Sequence, residues 1–126
     1  MGHCHTDIEL SNPKLSGLER LTVRAMADTV AMTLCIPEPV SVQLQLEEVE
    51  RREVTVADGR RTLVPYAGPV QVRFKNRSCF VGALVLGDEV LLGAVSMEDM
   101  DLVLCPARRS VDVNPQSPNF PQARVK

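Results

Sequence analysis

A chain of 126 residues, 44% hydrophobic and 24% charged, is long enough for one globular core and short for two. Its formal net charge of -2 and its dispersed basic residues leave no electrostatic footprint for nucleic acid, and no run approaches the roughly 20 apolar residues that cross a bilayer. The N-terminus MGHCHTDIEL has neither a cationic start nor an apolar leader core, so the composition predicts a soluble, cytoplasmic protein without nucleic-acid or membrane partners.

At the N-terminus His3-Cys4-His5 offers soft metal ligands, but adjacent residues on an extended end do not close a tetrahedral site, and no metal is predicted. Gly2 and Thr6 fit a permissive acylation pattern that is best explained by chance. Cys4, Cys35, Cys79 and Cys105 lie 31, 44 and 26 residues apart, a spacing that suits neither zinc nor a CxxC redox pair, so they are read as reduced thiols.

Short apolar or alternating runs then follow one another: 6–10, 21–27, 33–36, 53–57, 62–66, 70–74, 79–86 and 90–92. They are rich in Val, Leu and Thr and are separated by turn signals at Asn12-Pro13, Ser16-Gly17, Asp58-Gly59, Gly68-Pro69, Lys75-Asn76 and Gly87-Asp88, the pattern of a mainly β protein. Asp58-Gly59 between EVTVA and RRTLV predicts a projecting hairpin with a type I′ turn and a polar tip of Asp58, Arg60 and Arg61.

Helix is scarce. Pro37 and Pro39 suit the first turn of a short helix over 37–45, and Ser96 is placed as the N-cap of a second, with Glu98 and Asp99 in its first turn and Met97 and Met100 as core filling. The dense run Glu47, Glu48, Glu50, Arg51, Arg52 reads as a solvated surface. The domain is therefore expected over 1–113, followed by a proline-rich tail over 114–126 that cannot build a core and needs a neighbour to order it.

One residue interrupts this pattern with chemistry. Asp28 follows the apolar run 21–27 directly, and a carboxylate there is desolvated unless something bonds it. Taken alone it also fits an ordinary Asp-Thr turn. Serine or cysteine hydrolase chemistry has no obvious base, because both histidines lie at positions 3 and 5, and no Gly-rich phosphate loop or Gly-x-Ser-x-Gly elbow is present.

The order of pieces is more telling. An apolar strand runs into Asp28-Thr29-Val30-Ala31, then Cys35-Ile36-Pro37 and a short helix, a hairpin at Ala57-Asp58-Gly59, and Leu91-Leu92-Gly93-Ala94 before a helical turn over 97–102. Across roughly residues 5 to 113 this resembles the retropepsin-like aspartic proteases, in particular the small bacterial clan AA proteins. The resemblance implies a closed acid-protease β-barrel with one or two short helices and no cofactor. It implies Asp28 as the catalytic aspartate braced by the Thr29 hydroxyl, Val30, Ala31, Ala57, Asp58 and Gly59 along the substrate, and Leu91, Leu92 and Gly93 as support for the catalytic loop. The chain departs from the family at Val30, where the family has glycine.

Peptide hydrolysis by this route needs two carboxylates sharing one proton, one acting on water and the other on the scissile carbonyl. The chain has no second Asp-Thr-Gly or Asp-Ser-Gly, so the expected enzyme is a two-fold homodimer with one aspartate from each subunit, its interface strands drawn from 6–10 and 110–113. The expected activity is endopeptidase cleavage of an extended peptide or protein. The alternative is a peptide-binding or dimerisation module that keeps this fold without turnover, favoured by the β-branched Val30; an unrelated small barrel with an Asp-Thr turn is the third reading.

Overall fold

Buried and more exposed positions alternate along Cys4–Ser11 and much of Arg61–Phe74 in the computed structural model, which describes residues 3–125. Gly2, and with it the acylation pattern, lies outside the described residues, as do Met1 and Lys126. The strands are β1 (Cys4–Ser11), β2 (Leu21–Ala27), β3 (Leu34–Ile36), β4 (Glu47–Thr55), β5 (Arg61–Phe74), β6 (Arg77–Val85), β7 (Val90–Leu91), β8 (Leu102–Cys105) and β9 (Ser110–Val113). Two short helices, α1 (Glu38–Gln43) and α2 (Ala94–Asp99), and a 3-10 turn at Pro106–Arg108 complete them.

One sheet runs β1-β2-β7-β3-β6-β5-β4, and a further pairing of β1 with β5 closes its first six strands into a barrel. That seam joins Glu9, Leu10 and Ser11 to Arg73, Val72 and Gln71. The barrel fills from inward-facing alternate positions: Ile8 and Leu10 on β1, Val70, Val72 and Phe74 on β5, and Leu34 and Ile36 on β3 are all buried. Leu44, Leu92 and Met100 join the same core with no exposed surface. Truncating any such side chain to alanine is a cavity mutation costing about 2–5 kcal/mol.

Several expected boundaries move, each for a local reason. The Gly68-Pro69 turn signal lies inside β5, where the ladder to β6 shifts register between Ala67 and Val70 instead of reversing. Gly68 is needed there because β5 and β6 approach so closely that a side-chain carbon would lie 3.2 Å from the Gly82 α-carbon. The Asp58-Gly59 hairpin forms, but not with a type I′ turn. Only Gly59 has a positive φ (88°), and the amide of Gly59 donates to the Val56 carbonyl at 2.9 Å, which makes a three-residue loop ending in a left-handed glycine.

Helix α1 forms behind Pro37 as expected, and the turn that leaves it is held from outside: the buried Asn12 side-chain amide donates to the carbonyls of Leu44 (3.0 Å) and Gln45 (3.2 Å). Ser96 is not an N-cap. The second helix starts earlier, from Gly93 with φ 80°, and Ser96 is a fully buried residue inside it. Met97 and Met100 are core residues, as their spacing predicts. The helical turn expected over 97–102 ends at Asp99, and Asp101, with a φ of 54°, sends the chain into β8.

The edges proposed for an interface are partly spent within the chain. β1 pairs with β2 along Cys4–Leu10 and with β5 at Glu9–Ser11, while β9 pairs with β8 and lies alongside β1, where the His5 amide reaches the Arg109 carbonyl at 3.3 Å. The segment 6–10 is therefore an internal barrel strand rather than a bare edge.

The proline-rich segment finds its neighbour in its own barrel. The Asp101 carboxylate accepts bonds from the Ser117 hydroxyl, the Gln122 amide (3.0 Å) and the Asn114 side-chain amide (3.1 Å). Buried Arg77 donates to the Ser117 carbonyl, and the Asn76 side chain to those of Pro118 and Asn119. The Ser117 hydroxyl first, then the Gln122 and Asn114 donors, hold the Asp101 carboxyl below its ordinary range.

A depressed folded-state value means that this stabilisation is complete above the unfolded value of 3.8 and is lost as pH falls through the folded one. Asp101→Asn is therefore expected to melt below wild type at neutral pH and to lose less of its Tm between pH about 5 and 2. Thermal circular dichroism across that range checks this; parallel curves would show that Asp101 does not hold the segment.

Candidate active site

Asp28 stands where β2 leaves the barrel. β2 ends at Ala27 after pairing in parallel with β7, Ala25 opposite Val90 and Met26 opposite Leu91. Residues 28–33 then form an irregular loop before β3. Its backbone polar groups find partners mainly in the segment after β7. The Leu92 amide donates to the Met26 carbonyl at 2.8 Å, the Ala94 amide to the Ala31 carbonyl at 2.8 Å, and the Val95 amide to the Met32 carbonyl at 2.9 Å. Gly93 lies flat on the loop: a side-chain carbon there would sit 2.5 Å from the Thr33 carbonyl oxygen, and its φ is +80°. Of the expected support residues, Gly93 meets the loop that carries Asp28, Val30 and Ala31, whereas Leu91 pairs with Met26 and Cys35 on the flanking strands and Leu92 bonds Met26.

Within the loop, the half-buried Asp28 accepts the Val30 amide at 2.9 Å on one carboxylate oxygen. This two-residue closure is an Asx turn, and it fixes the carboxylate through backbone rather than through the Thr29 hydroxyl. Thr29 is exposed, and Thr33 is the threonine that anchors the loop, donating from its hydroxyl to the Gly82 carbonyl at 3.1 Å. Val30 has an ordinary negative φ and is 92% exposed, so its backbone is not one that requires glycine. Met32 is 71% exposed beside it. The acid is consequently flanked by open apolar surface.

One thiol within reach of the Asp28 charge lies inside. Cys35 is buried and donates to the Thr33 carbonyl at 3.6 Å. Burial first, and then the negative charge of Asp28, push its pKa up, which keeps it a neutral thiol and a poor nucleophile. Cys79 is likewise pushed up, to about 11, chiefly by burial. All four cysteines are free. Sequence distance concealed one neighbourhood: β1 sets Cys4 opposite Ala27 and His5 opposite Met26, so the first strand borders the end of β2, with His5 3.4 Å from Glu89. Only the pairing of β1 with β2 reveals this.

Ala57, Asp58 and Gly59 form the tip of the β4–β5 hairpin. There Asp58 accepts the Arg60 amide at 3.0 Å and the Arg60 guanidinium at 2.6 Å, the backbone donor first and the side chain second in lowering its carboxyl below the ordinary range. Asp58 is thereby an ionised turn residue. Among the described residues, the hydrogen bonds of the tip are internal to the hairpin.

No family model and no curated protein matches the chain. Among solved structures, the protease of simian foamy virus (mac), determined in solution, superposes with a TM-score of 0.50 at 14% identity, covering 73% of this chain and 91% of that one. The fold is retropepsin-like. A Legionella pneumophila protein of unknown function gives a TM-score of 0.41 at 15% identity, covering 87% of this chain and 90% of that one. The superposition on the foamy virus protease, at so low an identity, shows the fold of the barrel and nothing of its activity.

The packing of Gly93 on Thr33 gives a direct test. Gly93→Ala combines a positive φ with a 2.5 Å backbone contact and is expected to destabilise by about 2 kcal/mol or more, whereas Gly59→Ala meets open space and pays only for its φ of +88°. Urea denaturation of both variants measures the difference; equal losses would mean that the contact is slack.

Proposed function

We propose that this chain, through its unit 1–113, is an aspartic endopeptidase that acts as a two-fold homodimer, with Asp28 of each subunit forming the catalytic pair. The observation that carries this reading is the placement of Asp28 on a loop braced by the backbone of Leu92–Val95, at an open apolar surface of a retropepsin-like barrel. The single acid sets the stoichiometry. Two like charges close together cannot both ionise, so the pair holds one proton at working pH; the ionised member takes a proton from water while the protonated one hydrogen-bonds the scissile carbonyl. Val30, Ala31 and the tip residues Ala57, Asp58 and Gly59 then line an extended peptide held by strand-like main-chain hydrogen bonds. A second subunit also covers Val30 and Met32, which otherwise face solvent.

Asp28→Asn retains an oxygen to accept the Val30 amide, so it is a clean chemical deletion. In peptide-library cleavage at pH about 4–6, where an acid pair is singly protonated, it is expected to lower turnover by on the order of 10²–10⁴-fold. Sedimentation is expected to show the dimer; a monomer at assay concentration overturns the reading.

A second reading, a peptide-binding module without turnover, is favoured by one observation: the Val30 isopropyl group stands 92% exposed beside the carboxylate. The two readings separate on Val30→Gly. If the exposed isopropyl group limits access, this variant cleaves faster than wild type at nearly unchanged Tm. If both it and wild type bind extended peptide and are as inert as Asp28→Asn, the module reading prevails.

A further inference from the structure

The strongest unassigned arrangement lies in the charged run of β4. β4 pairs with β5 alone and stands outside the closed barrel. All its side chains except Val54 are exposed, so strand pairing is most of what holds it. That pairing is irregular where the hairpin leaves the barrel. The β4–β5 register shifts between Glu48 and Glu50, the β5–β6 register shifts between Ala67 and Val70, and Pro65, opposite Arg51, has no amide to give to the ladder. Bulges on both strands and a missing donor make this root compliant.

A stack of side chains spans that root. The Tyr66 ring lies directly on Gly82 of β6, so close that a side-chain carbon at Gly82 would overlap the ring. On the opposite strand the Arg52 guanidinium covers the same ring, 3.6 Å from its centroid, and Glu50 holds that guanidinium with a 2.9 Å bond to Nε. Gly82 is also where the candidate catalytic loop is tied down, because its carbonyl accepts the Thr33 hydroxyl at 3.1 Å. Glu50, Arg52, Tyr66, Gly82 and Thr33 thus form one line of contact from the hairpin to the Asp28 loop.

We infer that the Arg52–Tyr66 stack on Gly82 is a clamp that sets the angle of the β4–β5 hairpin and ties it to the Asp28 loop, making Arg52 and Tyr66 positioning residues. Its relevance to catalysis rests on the proposed reading of the hairpin as the cover of a peptide cleft; the clamp itself does not. The chemistry explains the residue types. A planar guanidinium stacks on a ring face and a lysine ammonium does not lie flat there, while the edge of the ring and its hydroxyl together fill the space over Gly82.

Hydrogen exchange of the full chain tests the clamp without any assay of cleavage. Arg52→Ala, a surface change that leaves the core intact, and Tyr66→Leu are expected to speed exchange of hairpin amides 53–63 roughly fivefold, with the amides of β8 and β9 unchanged. Tyr66→Phe, which keeps the ring under Arg52 and loses the hydroxyl over Gly82, is expected to fall between wild type and Tyr66→Leu, and Arg52→Lys between wild type and Arg52→Ala. If peptide cleavage is present, Arg52→Ala is expected to raise KM with kcat nearly constant.

Hairpin exchange unchanged in Arg52→Ala, or acceleration spread equally over β8 and β9, overturns the inference. A clamp that responds as described in a chain that cleaves nothing leaves the inference standing and removes the protease reading.

Discussion

Three backbone amides, those of Leu92, Ala94 and Val95, hold the carbonyls of Met26, Ala31 and Met32, and the remaining features of the candidate site depend on that grip. An irregular loop carries donors and acceptors that no strand satisfies, and leaving them unpaired where the barrel packs would cost far more than a single such bond contributes. The neighbouring segment supplies them only because Gly93 has no side chain to hold it off Thr33. With the loop pinned on its inner side, its outer side is free to present Asp28, whose own carboxylate closes the turn through Val30.

The electrostatics separate two kinds of aspartate. Asp58 and Asp101 are each surrounded by donors and serve geometry, one at a hairpin tip and one under the C-terminal segment. Asp28 accepts one amide within its turn, and its charge reaches inward to Cys35, whose thiol it helps keep protonated. A carboxylate that is positioned yet lightly bonded retains capacity for further hydrogen bonds, which proton chemistry requires.

How much of this could be read from residues alone depended on whether the signal was local. β2 has the extent expected of it, because its run of seven residues ends where an acid begins. The turn at Asp28 and the hairpin at Asp58-Gly59 were also readable, since each relies on chemistry within a few positions, whereas Gly93 owes its role to Thr33 on a distant part of the chain and entered only through the family resemblance. β4 was visible only in its last residues: its first half is charged, and the pairing of those charges with β5 is a tertiary effect that no periodicity announces. Gly68-Pro69 reads as a turn by composition, but what fixes it is the approach of Gly82 from another strand. The same glycine receives Tyr66, and nothing in the residues around position 82 marks it as a meeting point.

The topology also orders events in time. The barrel seam joins residues 9–11 to 71–73, and the braces on the Asp28 loop come from 92–95, so the first two strands of a growing chain have no native partners beyond each other until much later sequence has been made. Long-range closure of this kind is slow compared with local pairing. The loop bearing Asp28 therefore sets only after residues 92–95 have been made, which leaves its carboxylate unorganised through the earlier stages of folding.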